Sequence, residues 1–459
     1  MEIDKLVEIQ RKYFLSETTL CVNFRIESLK KLKSAIKKYE QRFIDALKID
    51  LNKSSVESYL CEIGIVYSEL DYMIKHVKKF NKVKKVPTPL MHLYSKSYIY
   101  KEPYGVVLIM APWNYPIQLT LIPLLTSIAA GNCSIVKPSN YSPTVSKVIY
   151  DMLSESFDEC YIATVLGGRE QNTALLNQRF DYIFFTGSVA VGKVVMEAAS
   201  KHLTPVTLEL GGKSPVIVDE TANIKFTARR LAWGKYTNAG QTCVAPDYLY
   251  VHESVKAALL AELVKAINEF YTENGHQNQG FPRIITEKHF DRLCGHLTNG
   301  VTVCGGIDKI NRSTLQIAPT ILDDITWNDS IMSEEIFGPI LPVLTYNNID
   351  ELVTLLKQKE KPLALYLFSN NKAIQKKVIN SLSFGGASIN DTLIHITTNH
   401  LPFGGVGNSG MGQYHGEYGY ATLTHLKPVL KKSNAFDIKV RYAPYTNKKE
   451  NSIKKFMKL

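Results

Sequence analysis

One thiol stands where a nucleophile could work. Cys243 lies in Gly240-Gln241-Thr242-Cys243-Val244-Ala245-Pro246, a stretch of small residues with little side-chain bulk to cover it. Taken alone, an isolated cysteine in an intracellular chain is more often a small buried apolar residue than a catalyst. Upstream, Leu208-Glu209-Leu210-Gly211-Gly212-Lys213 places a carboxylate inside an apolar strand end. Glu209 there suits a general base, with an ion pair to Lys213 as the structural alternative. The two glycines after it, Gly211 and Gly212, allow a substrate or cofactor to approach the backbone closely. In Ala111-Pro112-Trp113-Asn114-Tyr115-Pro116 two prolines stiffen a turn around an amide and two rings. Asn114 can donate to a developing oxyanion or fix its own backbone, and Trp113 and Tyr115 can wall a pocket.

Two further segments suit an anionic ligand. Phe185-Thr186-Gly187-Ser188-Val189-Ala190-Val191-Gly192 marks the passage from a strand to a helix, although it is not G-x-G-x-x-G. Free N–H groups and the helix dipole at such a turn can hold a pyrophosphate, or Ser188 can simply cap the helix. Lys137, in Lys137-Pro138-Ser139-Asn140, ends an earlier strand at the carboxyl edge of the sheet, where it can bond a ribose or a phosphate. Asn140 carries no charge to repel a 2′-phosphate.

Short apolar runs alternating with amphipathic stretches must position these residues, and that pattern is an α/β architecture with parallel sheets covered on both faces. Strands are expected at 106–110, 134–137, Tyr182–Thr186 and Thr204–Leu210, with helices at 117–130, 144–156 and Val189–Ser200. This is a doubly wound, Rossmann-like cofactor domain. A second α/β unit follows, with a strand at Ser214–Asp219, a helix at Ile224–Asn238 and a strand at Tyr248–His252. The expected division is 1–90 with 106–212 as the cofactor domain, 213–410 as the catalytic domain, and 91–105 with 411–445 as a β-strand oligomerisation arm. Within the arm, Ser95–Tyr104 and Asp437–Tyr445 alternate polar and aromatic residues like strands that lack a near partner. Residues 446–459 read as a polar, basic tail, solvated or frayed.

At 459 residues with 45% hydrophobic content, the chain has room for two or three domains. The N-terminal 50 residues are charged, with Leu29, Leu32, Ile36 and Tyr39 at helical spacing and no signal-peptide pattern. The longest apolar stretch, Ile117–Ala130, falls short of the ~20 residues a bilayer needs, and with only Ile453, Phe456, Met457 and Leu459 apolar from Lys448 to Leu459, no membrane anchor is expected. Seven scattered cysteines without a C-x-x-C pair suggest neither disulfides nor a metal site, and point to a reducing cytoplasm. The net charge of +11 comes with no nucleic-acid motif, so no nucleic-acid partner is expected.

Taken in order, Pro112-Trp113-Asn114, Lys137-Pro138-Ser139, Phe185-Thr186-Gly187-Ser188, Leu208-Glu209-Leu210-Gly211-Gly212, Gly240-Gln241-Thr242-Cys243, Glu335-Ile336-Phe337-Gly338-Pro339 and Pro402-Phe403-Gly404-Gly405 resemble the motif set of the aldehyde dehydrogenase superfamily. Cys243-Val244-Ala245-Pro246-Asp247-Tyr248 and the stretch from Leu401 to Gly412 resemble its class-three branch, whose members have short N-termini and are often dimeric. The resemblance implies oxidation of an aldehyde to an acid with NAD or NADP. In it, Cys243 is the nucleophile, Asn114 and the Cys243 N–H bind the oxyanion, and Glu209 activates the water that hydrolyses the thioester. It further implies that Lys137 and Glu335 bond the cofactor ribose, that Gly187, Ser188, Gly192 and Gly211 lie along the cofactor, and that Phe337 packs near the nicotinamide. Tyr115, Trp233, Thr242 and Phe403 match substrate-tunnel positions, which favours an aromatic or medium-to-long aliphatic aldehyde. Val189 stands where the family commonly has Thr, and Asn140 where many relatives have Glu, so use of both NAD and NADP is expected. A coenzyme A-acylating relative would dispense with Glu209, and a retired binding protein would be free to lose Cys243, Glu209 or Asn114. All three are present.

Overall fold

The computed structural model describes residues 2–273, 276–277 and 280–457. Three sheets of three or more strands organise the described residues. A peripheral three-stranded antiparallel sheet is formed by β1 (Lys84–Val86), β2 (Ser95–Pro103) and Thr424–Lys432, with β2 in the middle. The first central sheet contains β3 (Val106–Met110), β4 (Cys133–Lys137), β5 (Ile162–Thr164), β6 (Tyr182–Thr186) and β7 (Val206–Glu209). Its spatial order is β7-β6-β3-β4-β5, all parallel, with Gly410–Met411 added antiparallel at the β7 edge. Counted from β3, this is the doubly wound order 3-2-1-4-5, whose ligand crevice opens beyond the carboxyl ends of β3 and β6, where the strand order reverses.

The sequence explains why these strands pair this way. β3 is a continuous apolar run, and β3, β4 and β6 are buried at every residue, as a sheet covered on both faces requires. The helix Gln118–Ala130 is likewise buried along its whole length, so it is a core helix between layers. The helix Val22–Leu51 is amphipathic instead, and Leu29, Leu32, Ile36 and Tyr39 form part of its buried face.

A second central sheet carries β8 (Pro215–Val218) and β9 (Tyr248–His252) at its centre. Ile340–Tyr346 and Thr320–Asp323 continue it parallel on the β9 side, and Ala364–Phe368 and Gly386–Ile389 on the β8 side. Only the outermost strand, Val301–Cys304, runs antiparallel.

Two expectations need correction. Asp437–Tyr445 is not a strand but holds a short 3-10 turn at Lys439–Arg441, and the partner of β2 is Thr424–Lys432, paired along nine consecutive positions. That strand contains Pro428, which an edge strand tolerates because its outward side needs no donor. The helix begun at Ile224 ends at Tyr236, because Asn238 and Ala239 turn left-handed. The tail forms an exposed helix, Asn447–Met457, while residues 458 and 459 lie outside the described residues. Lys84–Val86 belongs to the peripheral sheet and Gly410–Met411 to the first central sheet.

Candidate active site

The helix Ile224–Tyr236 delivers the chain to Cys243 through a forced turn. Asn238, Ala239 and Gly240 have φ of 53°, 51° and 71°, three successive left-handed residues. Alanine there costs about 1–2 kcal/mol, so surrounding contacts must hold the kink. Those contacts are present. Asn238 Nδ2 donates to the carbonyls of Asn114 (2.9 Å) and Gln241 (3.0 Å), while Gln241 Nε2 donates to those of Asn238 (3.1 Å) and Arg283 (3.0 Å). Gly240 is required for space as well, because a Cβ would meet the Gly338 carbonyl oxygen at 2.2 Å.

The turn ends with Cys243 half-buried in the wall of a cavity of about 490 Å³. Glu209, Tyr115, Trp233, Thr242 and Phe403 line the same cavity, so the expected nucleophile, base and tunnel residues are brought together. Tyr115 Oη and Thr242 Oγ1 hydrogen-bond at 2.7 Å. Leu119, Leu393, Ile394 and Ile396 add an apolar lining. Burial pushes the Cys243 thiol up to about 12, reinforced by the nearby carboxylates of Glu335 and Glu209, while the N–H groups of Cys243 and Val244 act the other way. At neutral pH the resting thiol is therefore protonated.

Glu209 ends β7, buried, and among the described residues neither carboxyl oxygen has a hydrogen-bond partner. Loss of solvation raises its pKa well above the usual carboxylate range. The alternative of an ion pair with Lys213 is not what forms, because Lys213 Nζ bonds Asp247 Oδ2 at 2.5 Å and the carbonyls of Ile331 and Glu334. Asn114 is buried beside the Cys243 turn, with Nδ2 donating to the Gln241 carbonyl at 3.1 Å. An amide nitrogen has two hydrogens, so the second stays available to an oxyanion.

A separate group of residues gathers at the carboxyl ends of β4, β6 and β7. Lys137 is buried at the end of β4, its Nζ bonded among the described residues only to the Pro138 carbonyl (2.7 Å), and burial lowers its pKa to about 8. Ser188 caps the helix Val189–Ser200, accepting from the Val191 N–H at 3.4 Å, and Gly187 donates its N–H to the Glu209 carbonyl at 3.0 Å. Gly192 is buried in that helix against Leu210, where a Cβ would come within 2.7 Å, so close packing accounts for this glycine. A Cβ on Gly211 would fall 1.9 Å from Glu335 Oε2. Glu335 therefore lies directly over the Gly211 backbone, and burial together with Asp247 raises its pKa. Phe337, itself left-handed at φ 49°, packs edge-on against Trp113 with ring centres 5.5 Å apart. The buried Thr186 hydroxyl has no partner among the described residues. An under-bonded lysine, an unpartnered hydroxyl, a helix N-terminus and a carboxylate over bare backbone fit a dinucleotide's ribose and phosphate groups.

Sequence reading missed several residues at this site. Tyr59, Leu60, Cys61, Tyr414 and His415 line the cavity, the first three from a π-helical turn, Tyr59–Ile63. None belongs to a motif, and only the packing of distant segments brings them to the cavity.

The aldehyde dehydrogenase family model matches residues 1–429. The chain belongs to the aldehyde dehydrogenase family. Members of this family oxidise aldehydes to acids with NAD or NADP. The chain is 50% identical, over 95% of both chains, to 4,4'-diaponeurosporen-aldehyde dehydrogenase of Staphylococcus aureus. It is 42% identical to aldehyde dehydrogenase family 3 member A2 of Mus musculus, covering 97% of this chain and 92% of the relative. A solved structure titled as the substrate-bound state of Staphylococcus aureus AldH superposes with a TM-score of 0.96 at 49% identity, covering 99% of each chain. The doubly wound cofactor sheet and the second parallel sheet are thus those of an NAD(P)-dependent aldehyde dehydrogenase fold. Among the described residues no helix is long and apolar enough to cross a membrane.

Proposed function

We propose that this aldehyde dehydrogenase acts through a Cys243 thioester that Glu209 resolves. The supporting observation is the placement of a buried, unpartnered carboxylate and a thiol on one largely apolar cavity. Cys243 gives up its proton to solvent water and, as thiolate, attacks the aldehyde carbon. The oxygen that becomes negative is held by the Cys243 N–H and the free hydrogen of Asn114 Nδ2. Lys137, Glu335, Gly187, Ser188, Gly211 and Phe337 are the residues that hold the dinucleotide. When bound, oxidised NAD or NADP supplies the hydride acceptor that turns the thiohemiacetal into a thioester. Glu209 then takes a proton from water as that water attacks the thioester carbon, the Cys243 sulfur leaves, and the acid is released. Glu209 and Cys243 substitutions test this chemistry most directly.

The apolar lining supports an aromatic or medium-to-long aliphatic aldehyde. Each methylene buried adds about 0.8 kcal/mol, so kcat/KM is expected to rise about fourfold per added methylene until the cavity is filled. Steady-state kinetics from propanal to decanal check this; a preference for glycolaldehyde would contradict it.

Asn140, exposed next to the Lys137 turn, supports use of both cofactors. The expected ratio of kcat/KM between NAD and NADP stays below about a thousandfold, or ~4 kcal/mol. Asn140→Glu is expected to lower kcat/KM for NADP about tenfold and leave NAD nearly unchanged, through repulsion of the 2′-phosphate. Paired assays of the two proteins with each cofactor decide this.

The peripheral sheet supports a homodimer. Its edge strand, Thr424–Lys432, exposes Leu426 and Leu430 at 50% and 49% together with an unpaired backbone edge. Sedimentation equilibrium should give twice the 51.7 kDa chain mass, and Leu426→Lys with Leu430→Lys should shift it toward the monomer.

A further inference from the structure

Behind the Asn114 turn lies an ion pair that the chemistry above does not use. Lys53 and Glu62 have fully buried side chains and meet at 2.7 Å. They grip the turn from its two ends. Lys53 Nζ donates to the Asn114 carbonyl at 2.8 Å, and Glu62 Oε2 accepts the N–H of Ile117 at 2.8 Å and of Gln118 at 3.4 Å. The latter groups open the helix Gln118–Ala130, where unpaired donors and the positive end of the dipole favour a carboxylate. The Lys53 ammonium also lies 4.1 Å from the centre of the Tyr115 ring, whose hydroxyl bonds Thr242, the residue before Cys243. A second donor, Asn238 Nδ2, reaches the same Asn114 carbonyl from the nucleophile turn.

A buried pair of this kind is poor evidence for stability, since apolar residues of similar volume often serve as well or better. Its bonds instead converge on one residue's backbone. With the Asn114 carbonyl bound by two donors and the next helix started by Glu62, the side chain of Asn114 has little freedom to leave the Cys243 turn. A misplacement of about 1 Å in a catalytic group can cost on the order of 100-fold in rate.

We infer that Lys53 and Glu62 are positioning residues for the oxyanion donor, fixing Asn114 relative to Cys243. This inference rests on the proposed role of Asn114. It predicts that their effect on rate passes through that side chain and disappears when the side chain is gone.

The test is a double-mutant cycle. Lys53→Met with Glu62→Gln removes both charges without leaving one buried alone, and it is made in the natural background and in Asn114→Ala. Asn114→Ala should lower kcat about 100-fold, the size of one lost oxyanion donor. In the natural background the Lys53→Met, Glu62→Gln variant should lower kcat about 10- to 100-fold. Its KM for aldehyde and Kd for NAD should change less than about threefold, since neither residue faces the cofactor group. In the Asn114→Ala background the same pair of substitutions should lower kcat by less than about threefold. Equal losses in the two backgrounds, or an unchanged kcat in the natural one, would overturn the inference. If the paired variant does not fold, Glu62→Gln alone retains an acceptor for the Ile117 N–H and weakens the hold on Lys53; the same loss of kcat with and without Asn114 would again overturn it. A natural protein that oxidised no aldehyde would count against the reading of the site rather than against the positioning role.

Discussion

Glu209→Gln is expected to separate the reaction into its two halves. The first turnover should still release a stoichiometric burst of reduced nicotinamide, because nucleophile and oxyanion donors are intact, while steady-state turnover should fall about 10³-fold for want of a base. Rapid-mixing absorbance at the reduced-nicotinamide band measures both. The substitution is structurally mild, since among the described residues neither Glu209 oxygen has a partner to lose. The pH dependence should change with it. Because burial raises the folded-state pKa of Glu209, the natural enzyme's steady-state rate should climb as pH rises and the carboxylate ionises, and the variant should lose that limb. Stability follows the opposite sign. Above about pH 4 the unfolded chain releases the Glu209 proton while the folded one keeps it, so this residue makes folding less favourable as pH increases up to its folded pKa. Glu209→Gln should therefore raise the Tm more at pH 8 than at pH 5, as calorimetry at the two values would show.

Cys243→Ala is expected to abolish both halves, burst included, with a loss on the order of 10⁴-fold or more in kcat/KM. Binding should survive, because the residues proposed to hold the dinucleotide all keep their side chains, and fluorescence titration with NADH would show a Kd within about threefold of the natural protein. With the thiol pushed up to about 12, iodoacetamide should label Cys243 of the ligand-free enzyme slowly at pH 7 and faster as pH increases. Undiminished aldehyde oxidation by the alanine variant would place the nucleophile elsewhere.

Much of this arrangement is legible in the residues themselves. Strands such as Val106–Met110 are uninterrupted apolar runs bounded by turn residues, and a parallel sheet buried on both faces produces that pattern directly. The peripheral strand pair is less legible. Thr424–Lys432 contains a proline and lies on a sheet edge, where period-two patterning weakens, whereas Asp437–Tyr445 mimics the pattern by chance of composition. The left-handed Ala239 is invisible for a different reason. Nothing about alanine asks for positive φ, and the bonds of Asn238 and Gln241 impose it. The site divides along the same line. Cys243, Glu209 and Asn114 sit in short distinctive segments, but the Lys53–Glu62 pair acquires meaning only when the chain brings it to a turn some sixty positions away, as the bond from Lys53 to Asn114 spans 61 residues.

The most direct test of the proposed chemistry is the intact mass of Glu209→Gln after mixing with decanal and NAD. The thioester mechanism predicts that nearly every chain gains one decanoyl group, localised by peptide mapping to Cys243 and removed by hydroxylamine. Reduced nicotinamide formed with Cys243 unmodified, or with the acyl group on another residue, would contradict it.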